Sequence, residues 1–241
     1  MGASPTVGVA TRAGSEHLSR VPRPGHLSAV LLALLAPFVS VGGEPATSGS
    51  GPVVSARLSG GRSWGDISGD TFPVHEQLTY VTSAGFEGLW RLHPRWDAGL
   101  TVELGHAPIA PTICPAGATC WGWLGRAAAL VRFHAAPALR LDPWVALGAG
   151  VLVADVRIVS TSQRWEGFEV LRLEAGAELW RGGRLSLGPF VSSSLDQFTR
   201  EVVHGAGHPV ETAPLPNRAW HGWVMGGIRG TYEPRPRGGG R

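Results

Sequence analysis

Ser63 stands in GRSWG (residues 61–65), the spacing of a nucleophile elbow. That chemistry needs a strand, a sharp turn and then a helix, which together expose the hydroxyl to a base. Here the stretch ends an extended run and leads into a Gly/Asp-rich loop, so it reads as a strand end. GAG at 148–150 lacks both the third glycine and the following helix that a phosphate cradle requires. His204 and His208 share one loop and offer two nitrogen ligands, whereas a closed zinc site takes about four at suitable spacing. Cys114 and Cys120, in CPAGATC, fall short in the same way. In an exported chain, a close cysteine pair across a Pro/Gly-rich loop is expected to be a disulfide. No catalytic residue, metal or cofactor is assigned from these patterns.

The chemistry left over is charge. Arg57, Glu87, Glu103, Arg126, Arg132, Arg172, Glu174, Glu178 and Arg229 recur inside segments that are otherwise apolar at alternate positions. WDAGLTVELG (96–105) shows the pattern: Trp96, Ala98, Leu100, Val102 and Leu104 alternate with Asp97, Gly99, Thr101, Glu103 and Gly105. A period of two describes a strand with one apolar and one polar face. From residue 52 onward such segments come in pairs, at about 53–64, 78–91, 96–106, 121–133, 143–156, 165–180, 184–196 and 219–232. Their connections alternate between short turns (LHPR, RGGR) and long stretches at 65–77, 107–120, 157–164 and 197–218. Short turns at one end and long loops at the other describe an outer-membrane barrel.

The polar face decides which side looks outward. It carries mainly Gly, Ala and Ser with scattered Arg and Glu, the filling of an eight-stranded lumen. Charges of both signs suit an enclosed interior, where an unpaired charge is costly. The apolar face is therefore expected to meet lipid. The tryptophans avoid strand centres: Trp90, Trp96, Trp144 and Trp180 lie beside short turns, and Trp64, Trp121, Trp123, Trp165, Trp220 and Trp223 near long loops. With Tyr232 they read as two aromatic girdles at headgroup depth. The fold expected is all-β, an eight-stranded antiparallel up-and-down transmembrane β-barrel. In the segment 143–156, Asp155 and Arg157 share parity with Val145, Leu147, Val151 and Val153. Either the span ends before Asp155 or a bulge flips the register.

Composition agrees with that class. Charged residues make up only 16% of the 241, and all 21 basic residues are arginine. A soluble surface usually carries about 25–35% charge. From Glu44 onward, 18 arginines face 17 acids, a net of +1 and no nucleic-acid footprint. LSAVLLALLAPFVSV (27–41) follows Arg20, Arg23 and His26 and has the length of a signal-peptide core. The expected organisation is a signal peptide with an upstream extension at 1–43, a linker at 44–51, the barrel at 52–233 and a flexible tail at 234–241. Cleavage is expected near Gly43–Glu44, with translation starting near Val21.

PWVALGAGV (143–151) is similar to the Pro-aromatic-Gly strands of the small eight-stranded OmpA- and OmpW-like outer-membrane barrels, and the last strand ends in Tyr232. The chain resembles that superfamily over 53–232. The resemblance implies delivery to the outer membrane through the periplasm, insertion by the barrel-assembly machinery and a monomer surrounded by outer-membrane lipids. Gly227 and Tyr232 match the family's C-terminal signal in part, whereas Gly230 replaces an aromatic and EPRPRGGGR follows. The lipopolysaccharide deacylases of this resemblance use a His and a Ser two apart on a strand; no His-x-Ser occurs within 52–233. The expected role is non-catalytic, structural or surface-interacting through four loops, with an unidentified extracellular ligand. The lumenal charges are either a salt-bridged plug or a narrow charge-lined passage for small solutes. A lipid-modifying barrel enzyme and a soluble lipocalin-like binder are the remaining alternatives.

Overall fold

The structure, a computed structural model, describes residues 50–234 apart from 70–72, 138, 160, 183 and 206–209. The leader, the linker as far as 49 and the tail from 235 lie outside the described residues. Eight strands form the wall: β1 (Gly51–Gly65), β2 (Val81–His93), β3 (Trp96–Ala107), β4 (Cys120–His134), β5 (Asp142–Ile158), β6 (Thr161–Glu178), β8 (Leu185–His204) and β10 (His221–Tyr232). Each pairs antiparallel with its neighbour, and β10 pairs with both β8 and β1, so the sheet closes on itself. Closure removes the unpaired edge that an open sheet would expose. The three-residue β7 (Trp180–Gly182) prolongs the β6 edge against β8, and β9 (Glu211–Pro214) pairs with the outer part of β8. A single helical turn, α1 (Val74–Gln77), lies in the loop between β1 and β2.

Alternation along WDAGLTVELG appears in the wall as expected: Leu100, Val102 and Leu104 are exposed, while Asp97, Thr101 and Glu103 are buried. Around the ring, Leu58, Phe86, Leu147, Phe168, Val191 and Ile228 are all exposed on the outer wall. Soluble monomers rarely leave so large a continuous apolar surface uncovered. The interior is kept narrow by small residues. A Cβ on Gly176 would come within 2.5 Å of the Trp144 ring, so this glycine leaves room for an indole inside the barrel. Gly176→Val is expected to destabilise the barrel by about 1–3 kcal/mol through overpacking. A lowered denaturant midpoint in detergent would show it, and an unchanged midpoint would contradict it.

Several expectations are corrected. The connection 157–164 is no long loop: β5 and β6 continue upward as a hairpin, with Arg157 opposite Ser162 and Ile158 opposite Thr161. Beyond the apolar belt the outer face is free to be polar, so the ladder continues without the alternation that revealed it lower down. For the same reason β8 runs on to His204. The bulge considered for β5 is on β6. β5 pairs with β4 in unbroken register, and Asp155 keeps the outward parity between Trp123 and Arg164. On β6 the register shifts instead, and Val170 and Leu171 both face outward. Among the tryptophans, Trp144 (2% exposed), Trp165 (3%) and Trp223 (0%) are interior side chains, not girdle members. Their nearness to strand ends suggested the girdle, but parity turns Trp144 and Trp223 inward, and the extra residue at 170–171 inverts the count that would place Trp165 outside.

Candidate functional site

Five arginines at mid-lumen meet carboxylates from across the ring. Arg57 on β1 contacts Glu87 on β2 (3.3 Å), Glu174 on β6 (2.6 Å) and Glu103 on β3. Arg132 on β4 reaches Glu87 at 2.8 Å and Glu174 at 3.9 Å. Arg172 on β6 reaches Glu103 (2.6 Å), Glu169 (3.3 Å) and Glu174 (3.4 Å). Arg126 on β4 pairs with Glu169 and lies 3.9 Å from Asp196 on β8. Arg229 on β10 closes the circuit at 3.5 Å from Glu87 and 3.4 Å from Glu178. All of these side chains are buried. β5 contributes an aromatic instead, and Trp144 lies 4.5 Å beneath both Arg132 and Arg229. Phe190 on β8 lies 5.1 Å under Arg57. Each guanidinium is flat and carries five donors, so one can bridge several carboxylates while stacking on a ring. Gly85 clears the space for Arg57, whose side chain a Cβ there would meet at 3.1 Å.

Every residue assigned to the lumen by sequence is brought into this cluster. Two members were not named: Glu169 and Asp196. Asp196 continues the parity of Ser192 and Ser194 and was legible. Glu169 was not, because counting back from Arg172 by twos passes over it; only the extra residue at 170–171 turns it inward.

Two further layers close the lumen. At the turn end, Arg91 clasps Asp97 (2.8 and 3.2 Å) and reaches Glu233 at 2.9 Å, just past the last strand. His134 sits between Asp97 (3.1 Å from Nε2) and Asp142 (2.7 Å from Nδ1), and Asp142 also accepts the Ala136 N–H. At the loop end the filling is apolar. Ile67, Val74 and Leu78 from the first loop and Leu215 from the last pack on Leu124, Trp165, Phe198, Trp223 and Met225. The first loop is thus folded into the mouth, with α1 as its anchor.

This arrangement is poor in reactive groups. The Ser63 hydroxyl donates to the Leu78 carbonyl at 3.3 Å, which ties β1 to the plug. Ser194 donates to Asp196 at 2.7 Å beside His221, an assortment with the composition of a catalytic triad. The His221 ring, however, stacks flat on Phe198 at 4.2 Å and makes no hydrogen bond to that hydroxyl. Among the described residues, no group of three or more His, Cys, Asp or Glu could hold a metal ion. His204 is exposed, and His208 lies outside the described residues. Cys114 and Cys120 are bonded, with their Cα atoms 5.9 Å apart, and pin the second loop to the start of β4.

On the outer wall Trp64, Trp90, Trp96, Trp180, Trp220 and Tyr232 are exposed at the two ends of the belt. Trp121 and Trp123 are half-buried, and Arg157 lies 4.8 Å over the Trp121 ring.

No protein-family model matches the chain, and no curated protein matches it. Among solved structures it is similar to the outer membrane protein AlkL, determined in DMPC lipid bilayers. That likeness is 16% identical, covers 84% of this chain and 100% of that one, and has a TM-score of 0.50. Neisserial surface protein A (12% identity, 76% and 98% coverage, TM-score 0.44) and OprG from Pseudomonas aeruginosa (12%, 76% and 97%, TM-score 0.46) are similar as well. At these identities the likeness concerns the fold alone, that of small eight-stranded outer-membrane barrels.

Proposed function

We propose that this chain is a non-catalytic outer-membrane barrel that does not conduct, and that its work is done on its outward surfaces. On this reading the leader at 27–41 directs export, and the assembly machinery inserts the barrel as a monomer among outer-membrane lipids. The three long loops and the tip of the β5–β6 hairpin then face the exterior, where an unidentified partner would be met. The observation that carries the proposal is the sealing of the lumen at three successive depths: the Arg91–Asp97–His134–Asp142 clamp, the ring of buried ion pairs and the apolar plug. A conducting path needs polar groups that ions can displace easily. Here the polar groups hold one another, and an apolar layer lies across the mouth.

The test is electrical. Refolded protein, first shown by its unboiled gel mobility to be folded, is expected to add no discrete current steps to a planar bilayer. Steps whose size changes with Arg126→Gln or Glu174→Gln would instead establish the narrow passage and overturn the closed reading.

A further inference from the structure

The outer wall carries a groove of about 700 Å³ that crosses strands β3 to β8 near the loop end. This volume lies within the range of about 300–1,000 Å³ typical of small-molecule sites. Its apolar part is formed by Leu104, Trp123, Ala127, Val153 and Phe168, and Gly125 at its centre provides the depth. One end is not apolar: Arg164 on β6 and Arg200 on β8 stand there with Glu166 between them, at 2.9 and 3.6 Å.

Arg200 is placed there by a defect in the ladder. Phe198 points into the lumen, and a regular strand would send Arg200 inward with it. Register shifts at this point: Gly167 is opposite Phe198 and Glu166 opposite Arg200, leaving Thr199 as an extra residue. The Thr199 hydroxyl donates to the Glu166 carbonyl at 3.3 Å, and its own carbonyl accepts the Leu215 N–H at 3.0 Å, which fixes the bulge. Bulges re-aim side chains at barrel rims. The result is a second guanidinium on a surface where arginine is unfavourable unless it sits near the headgroups.

These two arginines are about half exposed (43% and 53% of their side chains), and Arg164 Nε is covered yet has no hydrogen-bond partner. Glu166 occupies only part of the donor capacity of two guanidinium forks. Counting the outward charges at this level, Arg157, Arg164 and Arg200 exceed Asp155 and Glu166 by one. Paired guanidiniums are suited to a phosphate, which they grip through parallel N–H donors.

We propose that this groove binds one phosphate-bearing acylated lipid of the outer leaflet, with its phosphate on the N–H donors of Arg164 and Arg200 that Glu166 leaves free and an acyl chain along Trp123, Val153 and Phe168. The inference rests on the membrane-spanning reading above. The full barrel is placed in phosphatidylcholine nanodiscs doped with diphosphoryl lipid A, and bound lipid is counted by native mass spectrometry. One lipid A is expected to stay with each barrel, and its dephosphorylated form is not. Retention is expected to fall about tenfold in Arg164→Gln/Arg200→Gln, the loss of one or two charge-assisted contacts. Ala127→Trp, which fills the groove from an outward position, should lose the lipid as well. Arg62→Gln, on the opposite part of the wall, should keep it. Equal retention by wild type and the double variant, or equal retention of the two lipid A forms, overturns the site. Failure of the wild type to enter nanodiscs at all overturns the membrane reading with it.

Discussion

Replacing Arg57 with methionine is expected to cost the barrel about 3–5 kcal/mol, the penalty for stranding buried partner charges. Arg57 is the shared cation of Glu87, Glu103 and Glu174, and all four side chains are shielded from water. Methionine keeps the apolar stem over Phe190 but removes the charge, so three carboxylates lose a partner at once. Some relief remains, because Glu87 keeps Arg132 and Glu103 keeps Arg172. Equilibrium urea unfolding from phospholipid vesicles would measure the loss. Glu103→Gln is expected to destabilise wild type yet partly rescue Arg57→Met, since it removes one of the stranded charges. Such a cycle isolates the coupling from the packing. The rim pair Arg91–Glu233 should behave differently. Glu233 is partly solvated, and Glu233→Gln should change stability by no more than about 1 kcal/mol. A small effect of Arg57→Met, or no rescue, would show that the network fills the lumen without holding it.

Leu100→Arg is expected to cost about 2–4 kcal/mol of folding free energy in a bilayer, and Leu92→Arg only about 0–1. Both leucines are outward and similarly exposed, at 65% and 63%, but Leu100 is mid-strand on β3 and Leu92 sits at the turn end of β2. The cost of an arginine on a lipid-facing wall depends on depth, whereas on a water-facing wall it does not. A soluble binder with the same fold would therefore tolerate both substitutions, within the roughly ±0.5 kcal/mol usual for surface positions. Two equal small effects, together with protein recovered without detergent, would refute insertion into a membrane. This experiment is more decisive than any change in the lumen, because lumenal residues would be buried in either environment.

Period-two alternation made the eight wall strands legible, because every wall strand has one wet or packed face and one face of another kind. It also sorted the lumenal charges, including Arg57, Glu103 and Arg172, before any contact was known. Asp97 and Asp196 could be reached by the same counting. Alternation failed where something interrupted it. One extra residue at 170–171 hid Glu169, and one extra residue at 199 turned Arg200 from the lumen to the outer wall. A bulge changes no residue type and leaves no mark on a single chain, yet it inverts everything beyond it. Trp165 lies beyond the extra residue at 170–171 and was inverted with Glu169. Trp144 shows a second limit: closeness to a strand end says nothing about which side an indole takes, and here the ring serves as a floor for Arg132 and Arg229.

Composition and alternation thus determined a barrel with an apolar outside and a charged, small-residue inside, because those properties belong to each strand separately. Which carboxylate meets which arginine, how the first loop folds into the mouth and where the outward arginines converge were decided only in the closed ring. Those contacts join strands far apart in sequence, such as Arg57 and Glu174, and their partners are fixed by register, bulges and closure together.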